Sequence, residues 1–212
     1  MKAVLISIQP KGCEKIVGGE KTIKVCKTKP SIPTPFKVYI YCTKGKPFIQ
    51  KIRFGDIAIS HTQISKNLYN GKVIGEFICD KVTPLVPLGL RGFEVLDETL
   101  KAMCLTTDDL NVYGGLKTLY GWHISQLKIY DIPKTLGEFY KVGAKSLEEL
   151  EDELCSYCYE TDYGKQSEVV TPNGYWACEG CFCEKAYTEY LEQNFALTRP
   201  PRDWMYVREL EE

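Results

Sequence analysis

Histidine is scarce in this chain: two among 212 residues, His61 and His123. Neither sits in a Ser-His-Asp or Cys-His pattern, so histidine-based nucleophilic catalysis has no motif support. Long apolar runs are missing too. None approaches the roughly 20 residues of a membrane-spanning helix, and no membrane partner is expected. Lys11 follows the short apolar start at residues 1–8 without a small-residue cleavage pattern. No secretory signal is therefore expected, and the chain reads as cytoplasmic. There is no internal repeat and no low-complexity tract. Acidic residues are nearly absent from the front: residues 1–53 hold twelve Lys and Arg but only Glu14 and Glu20.

What is present is an ordinary globular composition, 44% hydrophobic and 26% charged. A chain of this size can bury a core without disulfide staples. The net charge of −1 conceals a split. The front carries about +10, while the remainder holds 15 basic and 26 acidic residues. Lys15, Lys21, Lys24, Lys27 and Lys29 lie within fifteen positions, followed by Lys44, Lys46, Lys51 and Arg53. Basic residues without acidic balance point to a polyanion, nucleic acid first of all.

The ten cysteines form two populations. Cys13, Cys26, Cys42, Cys79 and Cys104 are scattered. Cys155, Cys158, Cys178 and Cys181 form two Cys-x2-Cys pairs, with Cys183 close behind as an alternate ligand. Reduced thiols at this spacing read as a structural zinc site. Two residues between cysteines let both thiolates reach one ion, and two pairs complete a tetrahedron with no open position. Zn2+ is the expected cofactor, with a structural role. Gly174, Tyr175 and Trp176 suggest a hairpin running into the second pair. Residues 184–193 read as a helix. Segment 146–194 holds twelve acidic and two basic residues. It should not grip nucleic acid; it covers part of the main domain or docks a basic protein partner.

Periodicity places strands at residues 2–8, 21–26, 36–42, 57–60, 72–82, 120–130 and 204–207. Short helices are expected at 11–17, closed by Gly18-Gly19, at 136–140, and at 146–154 with a Ser146/Glu149 capping box. Gly55-Asp56 reads as a turn. Residues 95–119 read as two Asp-rich helical turns broken by Gly114-Gly115. Strands and helices do not alternate regularly, so the class is α+β with a small mixed β-barrel. The expected organisation is a barrel over 1–144, an inserted finger over 145–194, and a closing strand within 195–212.

The stretch Gly18-Gly19-Glu20-Lys21-Thr22-Ile23-Lys24-Val25-Cys26 resembles the motif of ASCH domains, members of the PUA-like superfamily. Gly55-Asp56, Gly71-Lys72-Val73-Ile74-Gly75-Glu76 and Arg199-Pro200-Pro201 are similar to further pieces of that family. Residues 120–125 with 129–133 look like a bacterial or phage-encoded branch. The resemblance covers about residues 1–140 and 197–212. It implies a PUA-like mixed barrel with a ligand cleft beside the motif loop. Gly19 and Lys21 fit the motif, whereas its acidic position is Lys24 and its arginine position Cys26.

The resemblance implies binding of nucleic acid, RNA ahead of DNA, or of a modified base or nucleoside. Lys21, Thr22, Lys24 and Lys27 would meet the ligand, and Tyr120, Trp122 or Trp204 would supply stacking. Some small ASCH proteins resemble amidohydrolases acting on acetylated cytidine. Lys21 matches their catalytic lysine, their threonine position is Lys24, and their distant glutamate has no counterpart placed here. Catalysis would need a Lys21 pKa lowered by burial or by Lys24. A third reading is a protein-interaction factor working through the acidic finger. Cys26, with lysines nearby, is a candidate thiolate. His123 reads as a structural histidine.

Overall fold

The computed structural model describes residues 2–51, 57–143, 169–170, 176–177, 192 and 195–208. Cys155, Cys158, Cys178, Cys181 and Cys183 lie outside the described residues. So do the Gly55-Asp56 turn, the helix expected over 146–154 and, Glu192 apart, the one expected over 184–193. The chain separates into two compact units, Met1–Leu136 with Arg199–Glu212, and Gly137–Thr198.

In the first unit the order is β1 (Lys2–Ile8), α1 (Pro10–Val17), β2 (Ile23–Cys26), β3 (Phe36–Cys42), β4 (Phe48–Lys51), β5 (Ile57–Ser60), β6 (Lys72–Cys79), β7 (Val82–Leu85), α2 (Asp97–Met103), α3 (Thr107–Gly114), β8 (Leu119–His123) and β9 (Ser125–Lys134). The second unit contributes β10 (Val169–Val170) and β11 (Trp176–Ala177), before β12 (Trp204–Arg208) returns to the first.

The main sheet runs β12-β1-β3-β6-β9. Only β1 and β3 are parallel; the other pairs are antiparallel. The chain's last strand lies on its first, from Lys2 opposite Arg208 to Ile6 opposite Trp204. A second sheet, β2-β8-β7, is antiparallel, and β4 and β5 form a separate ladder. Among the described residues these sheets do not close on one another. The expected α+β class is found, strand-rich with few helices, and the strands described form one five-stranded sheet and two smaller ones in this unit.

Alternation explains the layering, because successive strand residues point to opposite faces. Val4, Ile6, Ile8, Val38, Ile40, Ile74 and Phe77 bury one face of the main sheet against Cys26 and Trp122 of the second. Cys13 and Ile16 of α1 join the same core. The opposite face of the second sheet, Ile23, Val25, Leu85 and Leu119, packs on Phe93, Met103 and Leu110. The second sheet is thus a middle layer between the main sheet and helices α2 and α3.

Several sequence expectations need correction. The single strand at 120–130 is two strands split at Ile124, one in each sheet. Apolar periodicity runs through the join, because both halves bury residues, and hides the change of partner. Pro133 does not end β9, which continues to Lys134. As an edge strand it has a side on which the missing N–H costs nothing. The strand expected over 72–82 breaks after Cys79 and resumes at Val82. The helical turns at 95–119 are two helices, the second with a Thr106/Asp109 capping box. The helix expected over 136–140 is a single 3-10 turn, Leu136–Glu138.

β4 was not expected from sequence. It carries the fully buried Gln50, whose amide donates to Ser60 Oγ (3.0 Å) and the Thr62 carbonyl (2.9 Å). Its oxygen accepts from the Ile64 and Ser65 amides at 2.9 and 3.0 Å. Both amide donors and both lone pairs are therefore committed to the 60–65 loop.

In the second unit, Lys141 N–H donates to the Phe195 carbonyl and Leu197 N–H to that of Phe139, at 3.0 and 2.9 Å. β10 and β11 pair antiparallel, Val169 opposite Ala177 and Val170 opposite Trp176.

Candidate functional site

α1 starts on Pro10, whose missing N–H falls where a helix has no acceptor for it. It ends at Gly18, and Gly19 turns the chain at φ +76°. A side chain there would be strained. The turn delivers Lys21 back onto α1, where its N–H donates to the Lys15 carbonyl at 2.9 Å. Thr22 N–H then donates to Ala102 at the end of α2, and the Thr22 carbonyl accepts from Ile124 N–H, both at 2.9 Å. The motif loop is thus stitched to α1, α2 and the β8–β9 joint.

This stitching buries Lys21, which is only 8% exposed. Its ammonium donates to the carbonyl of Met103, the last residue of α2. Cations are favoured at helix C-termini, where carbonyls lack partners. Burial pushes the Lys21 pKa down to about 8, with help from Lys24 and a smaller push from Lys15; Cys104 and Cys26 act in the opposite direction. Lys24 is half-buried and donates to the Val25 carbonyl at 2.7 Å. Thr22 is exposed beside them. Two lysines, Lys15 from α1 and Lys24 from β2, therefore act on one buried amine in the loop.

The sequence-predicted ligand residues divide into two groups. Lys21, Thr22 and Lys24 lie at the start of β2. Lys27 lies beyond its end, and Tyr120 sits opposite Cys26 in the β2–β8 register. From Thr22 to Lys27 the strand spans about 16 Å at ~3.3 Å per residue. At the far end, Lys27 Nζ stands 4.7 Å from the Tyr113 ring centre and Lys29 Nζ 5.9 Å from that of Tyr120. Trp204, half-buried, donates from Nε1 to Thr28 Oγ1 at 2.9 Å.

Trp122 is corrected from a stacking residue to a core residue. It is fully buried, edge-on to Phe36 with ring centres 5.6 Å apart, and equally close to Trp204. No face is open to a base. The candidate thiolate Cys26 is corrected as well. Its burial outweighs the pull of Lys24 and pushes its pKa up to about 12. His123 Nε2 lies 2.9 Å from Thr83 Oγ1, and burial, with Lys81, lowers its pKa.

Sequence reasoning missed three contributors. The Met103 carbonyl carries no side-chain signal. Tyr206 could have been found from its i, i+2 alternation with Trp204 on β12. Tyr113 lies in a segment read only as helical turns. Among the described residues there is no group of three or more His, Cys, Asp or Glu able to hold a metal ion. No helix among them is long and apolar enough to cross a membrane.

No family model and no curated protein matches the chain. Among solved structures it is similar to ASCH from Zymomonas mobilis, at 14% identity and a TM-score of 0.42, covering 91% of this chain and 95% of that one. Two single-residue variants of that protein match at 14% identity, with TM-scores of 0.38 and 0.37. They cover 92% and 91% of this chain, and 99% and 96% of theirs. TM-scores of this size carry no argument about this chain's chemistry.

Proposed function

We propose that this is an ASCH-like binding protein for nucleic acid, RNA in the first place, or for a modified nucleoside. The observation that carries the reading is the convergence of Lys15, Lys21 and Lys24 at the motif loop. A phosphate there relieves the repulsion between these amines and accepts from several of them at once. Thr22, exposed alongside, offers a hydroxyl to a sugar or base edge. The test is the nucleic acid that copurifies with the chain. Discrete RNA fragments are expected with the wild type and not with a folded Lys21→Glu/Lys24→Glu double variant. Equal recovery from the variant contradicts the reading.

One observation favours a second, catalytic reading. A buried amine with a pKa near 8 is partly neutral at working pH, as a general base must be. In that reading Lys21 is the catalytic group of an amidohydrolase for an acetylated nucleoside. Turnover of acetylated cytidine should be lost in Lys21→Ala; turnover that survives removes Lys21 from the chemistry.

We also propose a structural Zn2+ held by Cys155, Cys158, Cys178 and Cys181, with Cys183 as an alternate ligand. Four thiolates suit zinc. The antiparallel pairing of β10 with β11 supports it, because β11 (Trp176–Ala177) stands directly before Cys178 in sequence.

A further inference from the structure

We infer that the far end of β2 is a second contact site, built for the single-stranded segment that adjoins the group bound at Lys21 and Lys24. The inference rests on the nucleic-acid reading and extends it. Lys27, Thr28 and Lys29 are all exposed. Their loop is held in place by β12: Trp204 donates to Thr28 Oγ1, and the Tyr206 hydroxyl accepts from Ser31 N–H at 2.5 Å. Those two rings brace each other edge to face, 5.4 Å apart. On this support Lys27 is seated over Tyr113 and Lys29 over Tyr120.

Ammonium groups parked on aromatic faces match what a single strand offers, a π-face and a phosphate at each step. When a base takes the ring, the displaced ammonium takes the phosphate. An acidic peptide would use the cations but leave Tyr113 and Tyr120 without partners, so the pairing favours nucleic acid. Asp203 lies close enough to raise the pKa of Tyr113, after burial, to about 12. Arg202, the exposed neighbour of Asp203 in sequence, adds a further cation to β12's approach. Thr22 and Lys27, which flank β2 about 16 Å apart at ~3.3 Å per residue, let one short oligomer reach both sites.

The test compares a nucleoside 5′-monophosphate, a single-stranded RNA hexamer and an acidic hexapeptide. Each is titrated into the full chain as wild type, Lys27→Gln/Lys29→Gln and Lys21→Gln/Lys24→Gln. Loss of the two outer lysines should weaken hexamer binding about tenfold and lower its log–log salt slope by roughly 1.4. Monophosphate binding should stay unchanged. Unchanged hexamer affinity in Lys27→Gln/Lys29→Gln, with loss in Lys21→Gln/Lys24→Gln, overturns the second site and leaves the first standing. A wild type that binds neither hexamer nor monophosphate overturns both. A peptide bound as tightly as the hexamer overturns the single-strand assignment.

Discussion

The Lys21 ammonium donates to the main-chain carbonyl of Met103, 82 residues away in sequence. This bond fastens the motif loop to the end of α2. It places a buried amine where Lys15 and Lys24 act on it and no carboxylate is among the groups that do. The site's charge is therefore stored, and an anion is the natural partner to release it.

The buried amine has a consequence for stability. In the folded chain Lys21 loses its proton near pH 8, against an ordinary value of 10.5. Between these values the unfolded chain binds more protons, so this group's contribution rises with pH. Below about 8 both states are charged and the full burial penalty remains. Thermal melts from pH 7 to 10.5 should show a gain in the wild type that Lys21→Met lacks. Parallel profiles for the two proteins would remove the lowered pKa from the account.

Gly75 of β6 lies opposite Ile129 of β9. A Cβ there would stand 2.4 Å from the Lys128 carbonyl oxygen and 3.0 Å from Ile129 Cα. Neither is a flexible side-chain tip. Gly75→Ala should destabilise the fold by about 1–3 kcal/mol, read as a lower midpoint in denaturant. An unchanged midpoint would mean the strands separate without cost.

Thiol reactivity should follow burial. Cys13, Cys26, Cys42 and Cys79 are buried, and Cys104 is half-exposed. Cys13 is raised well above its ordinary value by its hydrogen bond with Cys42 and by burial; Cys26 and Cys79 are pushed by burial to about 12. Timed alkylation of the native chain followed by peptide mapping should label Cys104 first among these five. Early labelling of Cys26 would restore it as a reactive thiol.

Much of the first unit could be read from its sequence, for physical reasons. β3 and β5 are bounded by prolines, turns and abrupt changes of periodicity, and their limits coincide with those expected. β4 escaped because its polar Gln50 breaks the apolar pattern; its burial depends on four partners in a loop ten or more positions away. The cluster of lysines at the motif loop was visible as composition. The separation of Lys21 from Lys27 followed from the strand expected over 21–26, but the rings beneath Lys27 and Lys29 were not visible. Nor was the fate of Trp122. A tryptophan in a strand looks alike whether it faces a core or a cleft, and only the register opposite Lys24 and the contact with Phe36 decide.

The zinc proposal predicts one metal atom per chain by elemental analysis of freshly purified protein. A strong chelator should lower the melting temperature, since metal binding and folding of such a segment are one equilibrium. Metal-free protein, or melting indifferent to the chelator, would take the ion out of the account.

The most direct measurement is the salt dependence of single-stranded RNA binding by the wild type and by Lys21→Glu/Lys24→Glu, with folding of the variant checked by its melt. The account predicts weaker binding and a log–log slope shallower by roughly 1.4, the share of two phosphate contacts. Equal affinity and equal slope in the two proteins would contradict it.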